Sequence, residues 1–256
     1  MRMRLALIGL AVTATATPAL SQTCTGNCGT ASANGVVTAP PGGGNYQYVS
    51  TSGGTNGAGQ ISGIGGTNGS EFITVPFAAL AGDVLNFNFN YVTSDGSGFA
   101  DYAFAELLQG GAHAAWLFTA RTQPSGNTSP GFGLPANDAT LTPAATPING
   151  GAPTWAQLGS SSGTCYNAGC GYTGWINSLY TIMTAGSYQL RYGVTNWQDQ
   201  AYESGLAFQG LALNDVPIGN VVPGVPEPTT WVMMLLGFGA MGMTLRRRRP
   251  ALAVSA

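Results

Sequence analysis

Val84-Leu85-Asn86-Phe87-Asn88-Phe89-Asn90-Tyr91-Val92 is the stretch that decides the fold class. Leu85, Phe87, Phe89 and Tyr91 alternate with Asn86, Asn88 and Asn90. A period of two puts the large apolar groups on one face of an extended strand and the amides on the other. Downstream, Asp95-Gly96 supplies a turn, and residues 100–108 are expected to return as a hairpin partner with Tyr102 and Phe104 inward. Residues 114–120 read as another buried strand around Trp116 and Phe118. Upstream, Pro76 demotes the alternating run 71–77 to an edge or a strand end. Tyr46-Gln47-Tyr48-Val49 is the best strand candidate in the Gly-, Thr- and Ser-rich stretch 22–70.

Further on, residues 121–153 are loop-like, crowded with Pro, Gly, Thr and Asn. Residues 174–182 and 187–195 predict a hairpin about Ala185-Gly186, with Tyr188, Leu190, Tyr192 and Val194 facing one way and Gln189 and Arg191 the other. The last strand is 206–211. Many short strands punctuated by Gly and Pro, with no amphipathic helix between the termini, predict an all-β domain. The expected architecture is a β-sandwich of jelly-roll type. No internal repeat points to a propeller or solenoid.

Composition narrows the function. Of 256 residues only 7% are charged, and all eight basic residues are arginines. Between Gln22 and Gly224, nine carboxylates face only Arg121 and Arg191, a formal charge of −7. Such a surface repels phosphate backbones, which excludes nucleic-acid binding as a main role. Ten Phe, ten Tyr and five Trp make the chain too aromatic for a disordered tether.

The two ends are addresses. Arg2 and Arg4, an apolar run over 5–12 and the small-x-small triplet Ala19-Leu20-Ser21 predict a signal peptide over 1–21. The exported domain is expected to span 22–215, followed by a Pro/Gly-rich linker over 216–224. Then come Pro226-Glu227-Pro228, an uncharged stretch, and Arg246, Arg247, Arg248 and Arg249. As a helix, residues 229–245 rise roughly 26 Å, near the lower limit for crossing a hydrocarbon core. Trp231 sits at one boundary, and the arginines keep the other cytoplasmic.

This order of parts resembles the PEP-CTERM sorting signal of Gram-negative bacteria, over residues 225–250. The resemblance implies recognition of Pro226, Glu227 and Pro228 by a membrane-embedded exosortase, after passage through the Sec export machinery. It also implies removal of the span with Arg246, Arg247, Arg248 and Arg249, so that inner-membrane anchoring is transient. The prolines fix φ and extend the preceding residue, which presents a stiff bait at the membrane surface. The stretches 93–107 and 193–208 also resemble uncharacterised exported domains bearing this signal. That likeness supports a cell-surface or extracellular domain and implies no activity.

Cys24 and Cys28, and Cys165 and Cys170, form two close pairs, and export makes disulfides permissible. Local pairing is one of three connectivities, and a four-cysteine zinc site is the rival reading. His113 is the only histidine and lies beside a strand, where a core or rim imidazole is the simple reading. No G-x-S-x-G elbow occurs, lysine chemistry is impossible, and Gly63-Ile64-Gly65-Gly66 lacks the Lys-Ser/Thr of a P-loop.

Loop carboxylates are the remaining chemistry. Asp95, Asp101 and Glu106 cluster near one turn, and Asp199 and Glu203 near another. If the two loops meet, Asp95, Asp101, Asp199 and Glu203 are candidate calcium ligands, or a carboxyl pair for glycoside hydrolysis. Solvated surface acids are the simpler alternative. Trp197 is the candidate sugar platform, and plugging the end of the core is its structural alternative. The expected function is a non-enzymatic binding or structural role in an exopolysaccharide or biofilm matrix. A carbohydrate-active hydrolase is the competing reading.

Overall fold

The computed structural model describes residues 22–218. The expected signal peptide over 1–21, the sorting motif and the expected span over 229–245 lie outside the described residues. The first six strands are β1 (Thr23–Thr25), β2 (Asn27–Ala31), β3 (Tyr46–Ser50), β4 (Thr55–Asn56), β5 (Asn68–Ile73) and β6 (Phe77–Ala79). The middle of the chain forms β7 (Val84–Thr93), β8 (Tyr102–Gln109), β9 (Ala112–Arg121), β10 (Thr140–Thr142) and β11 (Asn149–Gly150). After a short 3-10 segment, Ala156–Ser161, come β12 (Gly171–Tyr172), β13 (Ile176–Thr181), β14 (Gly186–Thr195), β15 (Ser204–Leu213) and β16 (Val216–Pro217).

The strands form two antiparallel sheets. One runs β1-β5-β14-β8-β9, with β4 and β6 on its margins. The other runs β10-β13-β7-β15-β3-β2, with β11, β12 and β16 attached. The described domain is therefore all-β apart from the 3-10 segment, and the two sheets make a sandwich. Leu85, Phe87, Phe89 and Tyr91 of β7 are buried in the core between the sheets, as their alternation predicts. They meet Phe118 of β9 and Tyr192 of β14 from the opposite sheet. Tyr188, Leu190, Tyr192 and Val194 all enter this core. The amide face of β7 is not uniformly solvated, because Asn90 is buried.

Two expected hairpins are absent. β7 and β8 lie in different sheets, so residues 94–101 form a crossing rather than a tight turn about Asp95-Gly96. β13 and β14 are likewise in different sheets, and the segment around Ala185 crosses between them. The reason is that strand alternation fixes which face is apolar but not which neighbour pairs with it. β8 is apolar on both faces. Ala103, Ala105 and Leu107 enter the inter-sheet core. Tyr102 and Phe104 are buried on the opposite face, in a smaller core with Ile61, Trp116, Leu134 and Trp197. Phe104 lies so close over Gly193 of the neighbouring β14 that an added Cβ would sit 2.4 Å from its ring.

Both cysteine pairs are local. Cys24 and Cys28 are bonded with Cα atoms 6.1 Å apart, and Cys165 and Cys170 with Cα atoms 5.6 Å apart. The first bond links β1 to β2, which belong to different sheets, and so staples one edge of the sandwich. All four sulfurs are thereby used, which removes the thiolates that a zinc site requires. Val216 and Pro217, in the expected linker, instead pair with Leu213 and Ala212 of β15. The described chain ends at Ile218 beside Leu211, in the half of β15 remote from Ser204.

Candidate functional site

Three loops meet at the Ser204 end of β15. The Ser94 amide donates to the Glu203 carbonyl at 3.1 Å, and the Tyr166 amide donates to the Ser94 carbonyl at 2.9 Å. The Ser97 amide reaches the Ala168 carbonyl at 2.9 Å. Loops 94–101, 165–170 and 196–203 thus converge, and with them Asp95, Asp101, Asp199 and Glu203.

Each carboxylate is turned to its own protein donors. Asp101 is fully buried. Its Oδ2 accepts the Ser204 hydroxyl at 2.6 Å and its Oδ1 the Trp197 amide at 2.8 Å. Burial pushes its pKa well above the ordinary range, reinforced by the negative charges of Asp95 and Asp199. Glu203 accepts the Thr51 hydroxyl, and more loosely Asn196 Nδ2 at 3.4 Å. Asp199 Oδ1 accepts the Ala201 amide at 3.1 Å. Among the described residues, no three His, Cys, Asp or Glu side chains are placed to hold a metal ion. The four expected calcium ligands therefore share an end of the fold without forming a cage.

Asp95 differs from the others. It is 1% exposed; Oδ1 accepts the Gly96 amide at 2.7 Å, while Oδ2 has no hydrogen-bond partner among the described residues. Desolvation, together with the charge of Asp199, pushes its pKa up to about 7 from an ordinary 3.8. The folded state therefore holds a proton that the unfolded state releases. This group's contribution to stability falls as pH rises from about 4 to about 7, then levels off. Asp95→Asn keeps the acceptor for Gly96 and removes the ionisation. It is expected to raise stability by up to about 4 kcal/mol above neutrality and to be nearly neutral near pH 4. Thermal melts across this range check the crossover.

Trp197 is partly buried, and a cation lies over its ring. The Arg121 guanidinium lies 4.5 Å from its ring centroid and 5.0 Å from that of Tyr102, a cation packed against two aromatic rings. Arg121 is only 8% exposed, and desolvation lowers its pKa. Trp197 thus closes the smaller outer core.

The exposed aromatics at this end are Tyr166 and Tyr202, 45% and 37% accessible. Their ring centroids are 5.1 Å apart at an interplanar angle of 48°, and Phe99 meets Tyr166 edge-on at 5.6 Å. Tyr202 and Gln198 have φ of 56° and 69°, left-handed values that non-glycine residues rarely adopt. These tyrosines stand outside any alternating run, so periodicity does not flag them. The available signal was an aromatic enclosed in the Cys165–Cys170 loop and another next to an acid in a polar turn.

At the far end of β8, His113 Nδ1 lies 2.8 Å from Glu106 Oε1, and the Arg191 guanidinium bonds both Glu106 and Glu71. A cleft of about 260 Å³ beside His113 is lined by Leu107, Tyr180, Met183 and Tyr188. The imidazole is therefore a rim group held by a structural carboxylate.

Residues 224–249 match the family model of the PEP-CTERM protein-sorting motif. The match takes in Pro226, Glu227 and Pro228, the apolar run, and Arg246, Arg247, Arg248 and Arg249. No curated protein matches the chain in sequence. The motif implies export and exosortase-dependent sorting to the cell surface, with the exosortase as processing partner.

Proposed function

We propose that the chain is a non-enzymatic polysaccharide-binding module of the extracellular matrix, gripping its ligand with Tyr166, Tyr202 and Phe99. In this reading the Sec machinery exports it, and the span over 229–245 holds it briefly in the inner membrane. The exosortase then releases a jelly-roll domain. The strand order supports the jelly roll, because among the long strands the chain changes sheet at every step except β8 to β9.

The observation that carries the binding reading is the exposed tyrosine pair at the end of the sandwich remote from where the described chain ends. Flat, amphipathic rings cover a pyranose face at little entropic cost and keep a hydroxyl for hydrogen bonding. The neighbouring acids favour binding over hydrolysis. Asp101 is bonded on both oxygens, and Glu203 is held by Thr51 and Asn196.

The test is a glycan-binding screen run in parallel with a hydrolysis assay on the processed protein. Tyr166→Ala is expected to weaken binding about tenfold with no turnover in either protein. Turnover that disappears in Asp95→Asn would replace the binding reading with a hydrolase. EDTA is expected to leave the melting temperature unchanged, and a rise on adding calcium would show that the loops close on a cation.

A further inference from the structure

The charges that an anionic ligand would need are already committed inside the fold. The chain has no lysine, and Arg121 and Arg191 are the only arginines among the described residues. Arg121 lies buried between Trp197 and Tyr102. Arg191 is consumed by Glu71, Glu106 and the Gln60 carbonyl. At the tyrosine end the balance runs the other way. Ser94 bonds both Tyr166 and Glu203 through its backbone, Asp95 follows it directly, and Asp199 lies close enough to raise the Asp95 pKa. The buried Asp95 Oδ2 is left without a donor, so the group ionises only near neutrality, and a cation bound nearby favours its charged form.

From this we infer that the platform selects polysaccharide bearing free amino groups: a sugar ring stacks on Tyr166 and Tyr202 while its ammonium pairs with Asp199 and Glu203, above the buried Asp95. This rests on the polysaccharide-binding reading and adds the charge of the ligand to it. Uronate, sulfated and phosphate polymers meet repulsion without a compensating cation. A neutral acetamido sugar keeps the stacking but forfeits the charge-assisted bonds. Bonds to a charged partner are worth roughly 1.5–3 kcal/mol, or about tenfold or more in affinity.

The experiment compares three oligosaccharides of equal length on the processed protein at neutral pH, where Asp95 begins to ionise and an ammonium beside it favours both charges. The probes are a β-linked glucosamine oligomer, its fully N-acetylated counterpart and an oligogalacturonate. The glucosamine oligomer is expected to bind about tenfold tighter than the acetylated one, and the margin should shrink in high salt. Asp199→Asn with Glu203→Gln should erase that margin while sparing acetylated-sugar binding. Tyr166→Ala should weaken both. Equal or tighter binding of the acetylated or uronate oligomer would overturn the amino-sugar inference and leave polysaccharide binding standing. Glucosamine binding undiminished by Tyr166→Ala would be attraction to the whole acidic domain, and would overturn the site. Failure of all three probes, with a broad glycan screen also negative, would overturn both readings.

Discussion

Phe89→Ala is expected to cost the folded domain about 3–5 kcal/mol. Phe89 of β7 stacks on Phe118 of β9 at 3.7 Å between centroids, with the rings within 7° of parallel and neither exposed. These two strands belong to opposite sheets, so the pair is a direct contact across the sandwich. Phe87 flanks it, 6.4 Å from Phe89 and 6.2 Å from Phe118. Truncation removes the transfer free energy of the ring and leaves a cavity that two sheets built on fixed ladders close only in part. Since domains of this size are stable by about 5–15 kcal/mol, the loss is a large share of the total. It should lower the melting temperature by about 10 °C or more. Asn88→Ser, next door on the other face, is the control and should shift stability by less than about 0.5 kcal/mol. Thermal unfolding of both variants decides the matter, and a loss below about 1 kcal/mol for Phe89→Ala would mean that the sheets do not pack through this contact.

The second large effect concerns delivery. Glu227→Ala, or deletion of Arg246, Arg247, Arg248 and Arg249, is expected to leave nearly all of the protein full-length in the inner membrane. In the proposed route the uncharged stretch 229–245 enters lipid by its apolar side chains, and only processing at the motif would free the domain from it. Glu227 is the one charge between the two prolines, so its removal leaves the stiff backbone but deletes the group that a recognition site can pair with. The arginine cluster orients the span. Cell fractionation, with intact mass of the recovered protein, checks this. A mature form that retains 231–245 in unmodified cells would contradict processing. Tyr166→Ala should be sorted normally, which separates delivery from binding.

Local patterns made much of this legible. The alternation over 84–92 and 187–195 states which faces of β7 and β14 are apolar, because side-chain direction along an extended chain is a local property. The close spacing of Cys24 with Cys28 and of Cys165 with Cys170 suited local disulfides for the same reason. Strand partners were not legible. Residues 94–101 read as a turn but span two sheets, because loop chemistry permits a reversal without saying which sheet receives the next strand. Trp197 was the natural platform by residue type, yet Arg121, distant in sequence, lies over its ring. Tyr166 and Tyr202 carry no periodic signal at all, and only the meeting of their two loops makes them a pair.

The amino-acid sequence by itself determined that the domain between the two ends is all-β, acidic and disulfide-compatible, and that the chain is addressed to the cell surface. Composition, two-residue periodicity and a short linear motif act without reference to anything distant along the chain. Tertiary structure alone decided which strands share a sheet, that Tyr102 and Phe104 face an outer core, and that both domain arginines are enclosed. It also left Asp95 Oδ2 without a donor, in a loop that meets the one carrying Tyr166. Those outcomes depend on which remote segments fill each other's apolar faces and satisfy each other's buried polar groups, a choice made only when the whole chain packs.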